Sequence, residues 1–194
     1  MGILTKQELN ELGFKSLGNN VLISDKASIY GAEHIEIGNN VRIDDFVVLS
    51  AGTGGIYFGN YIHLSVQVSI IGAGRVELHD FSGVSAKVSI FSSSDDFTGR
   101  KMTNPTVPDS YRWVRNSSVI IGTHALIGAN SVLLPGSIIS DGVSVGALSQ
   151  VSSKLDEWSI YLGNPVKKIM PRSRNVLKLE KEFLEEMKKY RGLS

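Results

Sequence analysis

The chain has 194 residues, no cysteine and nearly balanced charge, with 20 Lys and Arg against 19 Asp and Glu. This length can bury a core without cross-links, the missing cysteines exclude disulfides and thiolate-bound zinc, and the balanced charge argues against a nucleic-acid-binding protein. No apolar run reaches the ~20 residues of a membrane span, and the first 18 residues lack the apolar core of a signal peptide, so we expect a cytoplasmic protein.

The first predicted element is a short N-terminal helix. Thr5 and Glu8 have the spacing of a capping box, in which each side chain binds the backbone N–H of the other residue. Leu9 and Leu12 give the helix an apolar edge, and Gly13 is suited to end it. We expect this helix to cap the structure that follows.

From residue 17 to residue 92, an aliphatic residue returns about every six positions, as in 37–42 (IGNNVR) and 43–48 (IDDFVV). Six residues are too few for a helix with a connection, but they fit a short strand and one corner. Three units then form one triangular turn with aliphatic side chains inside, and successive turns stack at the strand spacing of about 4.8 Å. The repeat therefore predicts an all-β solenoid.

The repeat stops over residues 92–118, a segment that contains Asp95, Asp96 and Trp113. A connection of this length inside a compact repeat is uncommon and usually functional. We therefore expect an extended loop that belongs to a binding or catalytic site.

The repeat resumes at residue 121, and six units run without interruption over 121–156. Together with the earlier units they predict a parallel β-helix of about six turns, whose open ends need caps. A basic segment follows, and residues 175–190 change to the apolar spacing of an amphipathic helix. We assign 1–170 to the cap and solenoid with its loop, and 171–194 to a helical segment packed on the prism or on a neighbour. A membrane-surface helix is the alternative, although the mixed charges of its polar face disfavour it.

The hexad units, the interruption at 92–118 and the segment 163–172 (GNPVKKIMPR) resemble the hexapeptide-repeat acyltransferases, which fold as left-handed parallel β-helices. Within that family the chain is similar to the galactoside, maltose and surface-polysaccharide O- and N-acetyltransferases. The resemblance implies acetyl-CoA as donor, no metal, and a hydroxyl or amino group of a sugar as acceptor, in a surface-polysaccharide or nucleotide-sugar precursor. It also implies a homotrimer with active sites between subunits and a loop that reaches over the neighbour.

Acetyl transfer to a hydroxyl needs a base to remove the hydroxyl proton, whereas a neutral amine can attack without one. The resemblance places Asp95 where related enzymes carry a loop His. A free Asp side chain, with a pKa of about 4, is a weak base, but repulsion from the adjacent Asp96 could raise one of the two pKa values. The other candidate base is His63, whose position in its unit directs it outward near a corner.

Substrate-binding candidates follow from the same resemblance. Ser65 and Gln67 share with His63 the stretch that contacts the acceptor in galactoside-type relatives, and Trp113 could pack on a sugar. CoA is expected against the late turns, where small residues allow close approach and cations can bind its phosphates. The candidates are Ala129, Ala147, Ser152, Ser153, Lys154, Lys167, Lys168 and Arg172. Lys154 lies one place beyond the position of the corresponding family Lys.

Two other functions stay open from the sequence. The absent loop His is compatible with a non-catalytic β-helix scaffold. A trimeric metal-dependent hydratase of the γ-carbonic-anhydrase type shares the prism but needs three converging His. The four His, at 34, 63, 79 and 124, include no close pair, which disfavours the hydratase.

Overall fold

The structure is a computed structural model that describes residues 2–191. Helix α1 (Lys6–Glu11) lies at the N-terminal end, a parallel β-solenoid follows, and helix α2 (Asn175–Arg191) lies at the C-terminal end. The predicted capping box is present, because the Thr5 hydroxyl accepts from Glu8 N–H while the Glu8 carboxylate accepts from Thr5 N–H. Both predicted helices are thus confirmed.

The solenoid strands are short and follow one another around a triangular prism. Those before the loop are β1 (Ser16–Leu17), β2 (Val21–Ile23), β3 (Ser28–Tyr30), β4 (Ile35–Ile37), β5 (Val41–Ile43), β6 (Val48–Ala51), β7 (Ile56–Phe58), β8 (His63–Leu64), β9 (Ser69–Gly72), β10 (Val76–Leu78), β11 (Gly83–Val84) and β12 (Ser89–Phe91). The loop contains β13 (Ser93–Asp95) and β14 (Val114–Asn116). After it come β15 (Val119–Ile121), β16 (Leu126–Ile127), β17 (Val132–Leu133), β18 (Ile138–Ile139), β19 (Ser144–Val145), β20 (Gln150–Val151), β21 (Lys154–Leu155), β22 (Ser159–Leu162) and β23 (Lys167–Pro171).

Three parallel sheets form the faces of the prism. The first face has the order β1-β4-β7-β10-β15-β18-β21, the second β2-β5-β8-β11-β16-β19-β22-β23, and the third β3-β6-β9-β12-β17-β20. Each turn takes one strand from each face, so β4 to β6 form turn 2, β7 to β9 turn 3, β10 to β12 turn 4, β15 to β17 turn 5 and β18 to β20 turn 6. The predicted parallel β-solenoid is confirmed.

The prism has about seven turns rather than the six expected from the hexads, because β21 and β22 add a seventh, incomplete turn. The hexad count ended too early because the corner at Ser152 and Ser153 is short. Leu155 therefore reaches an inward position only four residues after Val151, and both side chains are buried. Strand β23 runs antiparallel to β22 and closes this end.

The core is a column of aliphatic side chains inside the prism. Phe58 and most aliphatic residues at equivalent positions are buried, and Ile43, Leu64, Ile70 and Ile127 are inaccessible to solvent. Full burial of such a side chain contributes ~1.5–3 kcal/mol. The repeating inward position therefore explains why the hexad pattern predicted the fold.

The corner between the first and second faces carries the C-terminal helix. Tyr61 and Phe81 stack with ring centroids 4.7 Å apart, and Phe81 stacks on His124 at 5.1 Å. Phe183 of α2 meets Tyr61 edge-on at 5.3 Å, and Glu180 lies 2.9 Å from His124 Nε2. The helix therefore packs on its own prism. In the described part of the chain, no helix is long and apolar enough to span a bilayer.

Replacing Gly142 with Ala is expected to destabilise this corner. Gly142 has a φ of +66°, and an added Cβ would lie 2.5 Å from the Trp158 ring. Such overpacking typically costs ~1–3 kcal/mol. The matched control is Gly13→Ala, since Gly13 has a φ of +73° and open space around it. Denaturant unfolding should show the larger loss for Gly142→Ala. Equal losses would show that the backbone conformation alone sets the cost.

Candidate functional site

The loop folds back against the third face and encloses a cavity of about 560 Å³. Its walls come from both ends of the loop, and its floor comes from turns 5 and 6. The lining residues are Ser94, Asp95, Asp96, Phe97, Thr98, Trp113, Arg115, Leu134, Pro135, Gln150 and Ser152. Four residues predicted from sequence for three different roles, Asp95, Asp96, Trp113 and Ser152, thus line one cavity.

The two ends of the loop form an antiparallel ribbon, which holds the cavity wall in place. Asp95 on β13 lies opposite Val114 on β14, next to Trp113. At the root of the ribbon, Ser93 Oγ donates to Asn116 Oδ1 at 2.6 Å and accepts from Ala73 N–H at 2.7 Å. The loop is therefore an ordered wall, and Trp113, about half exposed, is available to pack on a ligand.

Asp96 is an anchor of the loop. It is 8% exposed and accepts hydrogen bonds from the Thr98 hydroxyl at 2.6 Å, from Thr98 N–H at 2.8 Å and from Lys101 N–H at 2.8 Å. The Thr98 bonds lower the pKa of Asp96 against the opposing effect of burial. Repulsion between the adjacent acids Asp95 and Asp96 therefore does not raise the pKa of Asp96. The carboxylate oxygens of Asp96 already have hydrogen-bond partners. Asp95 is the acid of this pair that is left for a substrate.

Replacing Asp96 with Ala should loosen the loop. Hydrogen bonds to a charged group are worth ~1.5–3 kcal/mol each, so the loop should open at least roughly tenfold more often. Limited digestion with trypsin after Arg100 and Lys101 should accelerate accordingly. The control is Asp109→Ala. Asp109 is an exposed acid of the same loop, and among the described cations only Arg112 lies within 4 Å of its carboxylate. A digestion rate that Asp96→Ala leaves unchanged would contradict this anchoring role.

The second group of predicted residues lies elsewhere on the prism. His63 projects outward from β8 on the second face, and its Nε2 lies 2.8 Å from Asp44 Oδ2. Arg42 Nε donates to the other oxygen of Asp44 at 2.8 Å. Burial alone would raise the pKa of Asp44, but the hydrogen bonds and charges of Arg42 and His63 outweigh it and lower that pKa. Asp44 therefore holds two basic side chains at the surface.

Ser65 and Gln67 lie close to this group in the chain, at the corner between the second and third faces. Ser65 directly follows β8, and Gln67 is exposed in the turn with a φ of +61°. None of these residues lines the loop cavity of the same chain. The structure therefore keeps the His63 group and the Asp95 cavity on different faces.

The small residues proposed for CoA occupy two late corners. Ala129 and Ala147 stack at the corner between the second and third faces, where Leu148 N–H donates to the Ala129 carbonyl at 2.9 Å. Ser152 and Ser153 form the next corner, beyond β20, and Ser152 reaches the cavity. These small side chains lie at two different corners of the late turns, and their contact with CoA stays a prediction.

The structure does not bring the four predicted cations into one cluster. Lys154 lies on the first face, whereas Lys167 and Lys168 are exposed on β23 of the second face. Arg172 Nη1 donates to the carbonyls of His124 at 2.7 Å and Gly142 at 3.1 Å, and burial lowers the pKa of its guanidinium. Arg172 thus ties the C-terminal segment to the prism.

Sequence reasoning missed Arg42, Asp44, Arg115 and Gln150. The sequence contained a signal for Arg42 and Asp44, because Asp44 precedes His63 by 19 residues, which is about one turn of this solenoid. Arg115 could have been found from its place near the end of the loop. Each His contacts a carboxylate rather than another His, and residues 2–191 contain no group of three or more His, Asp or Glu arranged to hold a metal ion.

No family model matches the chain. It is 48% identical over 183 residues to a dTDP-4-amino-4,6-dideoxy-D-glucose acyltransferase from Escherichia coli, covering 94% of this chain and 95% of that protein. The N-acyltransferase AntD from Bacillus cereus, in complex with dTDP and 3-hydroxybutyryl-CoA, superimposes with a TM-score of 0.91 at 43% identity, covering 96% of this chain and 98% of AntD. A maltose O-acetyltransferase from Clostridium difficile shares the fold, with a TM-score of 0.58 at 19% identity, covering 87% and 75%.

Proposed function

Because this chain belongs to the CoA-dependent sugar acyltransferases with a β-solenoid fold, we propose that it acetylates the 4-amino group of a dTDP-linked 4-amino-4,6-dideoxyhexose. The observation that carries this proposal is the cavity that unites Asp95 and Trp113 with Ser152 of the late turns. The similarity of nearly the whole chain to an acyltransferase of that nucleotide sugar supports the acceptor. A cytoplasmic location is part of the same proposal.

The amine acceptor simplifies the chemistry. The neutral amine attacks the carbonyl carbon of the acetyl thioester, the carbonyl π bond gives way to an oxyanion, and the nitrogen becomes cationic. Asp95 is proposed to accept one proton from that nitrogen, after which the carbonyl re-forms and the C–S bond breaks. The CoA thiolate leaves and is protonated. Because an amine needs no base before attack, a lone carboxylate can take the place of the loop His of other family members.

The donor is proposed to lie along the late turns. Its pantetheine arm would pass Ala129, Ala147 and Ser152, and Ser153 would face it from the same corner as Ser152. Lys154 and Lys167 are exposed beyond these residues and would pair with the phosphates. Lys168, whose Nζ lies 3.4 Å from Asp156 Oδ2, would exchange that ion pair for a phosphate. Arg172 would serve by fixing the segment that carries Lys167 and Lys168, because its Nη1 is already bound to carbonyl oxygens.

The active form is proposed to be a homotrimer. The His63 group and the Asp95 cavity lie on different faces of one chain, and a neighbouring copy could bring a second face against a loop. Exposed apolar side chains support such contacts, since Phe97 of the loop is 93% exposed and Leu126 on the second face is 46% exposed. Self-association would cover apolar surface that a monomer leaves in water.

The function can be tested with purified protein, acetyl-CoA and dTDP-4-amino-4,6-dideoxyglucose, by following release of the CoA thiol. We expect turnover with the amino sugar and none with dTDP-glucose, which carries a hydroxyl at C4. Maltose and galactose serve as hydroxyl acceptors without a nucleotide. Turnover of either of these sugars, with none of the nucleotide amino sugar, would show that the acceptor is wrong.

A further inference from the structure

We propose that the Arg115 guanidinium binds the carbonyl oxygen of the donor thioester and stabilises the negative charge that this oxygen carries after the amine attacks. This inference rests on the proposed function, because it requires a thioester donor beside the loop cavity. It gives the loop a second chemical role, in addition to the removal of the amine proton by Asp95.

The first observation is that the cavity offers one uncommitted cation. Among the described residues that line the loop cavity, Arg115 is the only Lys, Arg or His. Its side chain is exposed, and within residues 2–191 its guanidinium has no hydrogen bond and no carboxylate within 4 Å. The nearby Arg112, in contrast, is paired with Asp109. Arginine stays protonated in proteins, so the charge of Arg115 is permanent.

The acids of the cavity leave this cation free for a ligand. Asp96 is occupied by hydrogen bonds from the loop itself. Asp95 lines the same cavity but forms no ion pair with Arg115, so more than 4 Å separates their charged atoms. Attack of a neutral amine on a thioester puts a positive charge on nitrogen and a negative charge on oxygen. The two uncommitted side chains carry the complementary charges.

The second observation is that the ribbon directs Arg115 toward the late turns. Directly opposite residues of an antiparallel ribbon share a face, and successive residues alternate between faces. Ser93 accepts from Ala73 N–H, in the corner after turn 3, so its face looks toward the early turns. Arg115 lies opposite Ser94, one pair further along, and therefore belongs to the other face.

Asp95 belongs by the same alternation to the early-turn face, and it lines the cavity from the end of β13. The acid and the cation thus approach the cavity from the two faces of the ribbon. An acceptor amine that meets Asp95 and a donor thioester that meets Arg115 would come together at the end of the ribbon.

The third observation is the place of the guanidinium on the prism. A Cβ added at Gly136, which has a φ of +94°, would lie 3.5 Å from Arg115 Nη2. The guanidinium therefore lies over the corner that follows β17 of turn 5. Ser152 lies at the same corner of turn 6 and also lines the cavity, about 4.8 Å further along the prism. The donor is proposed to pass Ser152, so Arg115 lies beside its path.

The surroundings favour an oxyanion over a phosphate as the ligand of Arg115. Trp113, Leu134 and Pro135 line the same cavity. With a donor bound, these side chains would exclude water, and a fixed cation stabilises a developing anion more strongly in such a site. The lysines proposed for the phosphates lie elsewhere, on the first face and on β23 of the second face.

The role of Arg115 in the reaction is electrostatic. When the amine attacks, the π electrons of the carbonyl move to oxygen and form the anion that Arg115 binds. When the C–S bond breaks, this electron pair forms the carbonyl again, and the thiolate leaves with the electrons of that bond. Arg115 donates hydrogen bonds and keeps all its protons. Because the charge develops only during the reaction, the contact should raise kcat more than it lowers KM.

The experiment replaces Arg115 with Ala and measures transfer from acetyl-CoA and from S-acetylpantetheine, which lacks the phosphates. We expect kcat with acetyl-CoA to fall ~10²–10³-fold, the usual loss for one oxyanion donor. The ratio of native to variant kcat/KM should be similar for both donors. Affinities for CoA and dTDP, measured by calorimetry, should hardly change.

The matched control is Arg100→Ala, because Arg100 is an exposed arginine of the same loop outside the lining of the cavity. It should keep native kcat, and thermal unfolding of both variants checks that the fold survives. Free guanidinium ion gives a second readout, since Arg115→Ala leaves space for it over Gly136. Millimolar guanidinium chloride should raise kcat of Arg115→Ala, whereas equal sodium chloride should not. Absence of this recovery would show that the loop had lost its structure and would overturn the proposal.

The remaining outcomes separate this inference from the proposed function. A loss that disappears with S-acetylpantetheine would assign Arg115 to a CoA phosphate, and weaker dTDP binding with native kcat would assign it to the acceptor; either overturns the oxyanion role. If native protein and Arg115→Ala acetylate the nucleotide sugar equally fast, the inference is wrong and the function stands. If the native protein acetylates only another sugar and Arg115→Ala slows that reaction, the acceptor is wrong and the inference stands. A native protein that transfers no acetyl group would overturn both.

Discussion

Replacing Asp95 with Asn is expected to reduce kcat by ~10²–10⁴ while CoA and dTDP still bind, because this is the usual range for loss of a proton acceptor. Asn keeps the shape of Asp95 and its place opposite Val114 on the ribbon. It cannot take a proton from the cationic nitrogen that forms when the amine attacks the thioester. The measurement is steady-state turnover of the nucleotide amino sugar, with ligand affinities determined separately.

The control for Asp95→Asn is the same substitution at Asp109, which lies in the same loop outside the lining of the cavity. Asp109→Asn should leave kcat nearly unchanged. If Asp95→Asn lost only a fewfold in kcat, the amine proton would leave by another route, such as the departing thiolate of CoA. Asp95 would then only orient the acceptor.

The native enzyme should also become faster as pH rises through the pKa of the substrate amine, because only the neutral amine attacks. This dependence belongs to the substrate and should persist in the His63→Asn variant. A hydroxyl acceptor would behave differently, since it would need a base such as His63 before attack.

The fold could be predicted because each turn repeats the same physical requirement. An aliphatic side chain must point inward at every sixth position, and residues such as Ile43, Leu64 and Ile127 satisfy it. The incomplete seventh turn could not be predicted from the hexads, because that spacing shortens to four residues between Val151 and Leu155. The packing of α2 was not predicted, although the stack of Tyr61, Phe81 and His124 comes from the same fourth position of three units, each with a φ near +58°. The hexads show that these rings share one corner, but they do not show which later segment covers it.

The site was harder to predict than the fold because its parts are specified by stacking between turns. Asp95 and Trp113 follow from the interruption of the repeat. The contact of Asp44 with His63 depends on the length of turn 2, which differs from 18 residues by the insertion in its last corner. Arg172 carries a charge that suits phosphate, yet the fold uses it for backbone carbonyls. Sequence shows which side chains are basic, but only the packing shows which are already bound.

Mixing two impaired variants should restore activity if the active site lies between subunits. Asp95→Asn damages the loop and leaves the second face intact, whereas the double variant Lys167→Gln/Lys168→Gln weakens donor binding on the second face and leaves the loop intact. In a homotrimer assembled at random from equal amounts of the two chains, about one quarter of the interfaces combine an intact loop with an intact second face.

We therefore expect co-refolded mixtures, assayed at low acetyl-CoA concentration, to recover about one quarter of native activity. Each variant is first refolded and assayed alone, so that both are known to be weak under these conditions, and light scattering establishes that the mixture is trimeric. A trimeric mixture no more active than the mean of its parents would show that the loop and the second face of one chain serve a common site. A monomer at micromolar concentration would contradict the trimer itself. Recovery near one quarter requires that the Asp95 loop of one copy close over the second face of the next, since no rearrangement within a single variant chain can supply both intact halves.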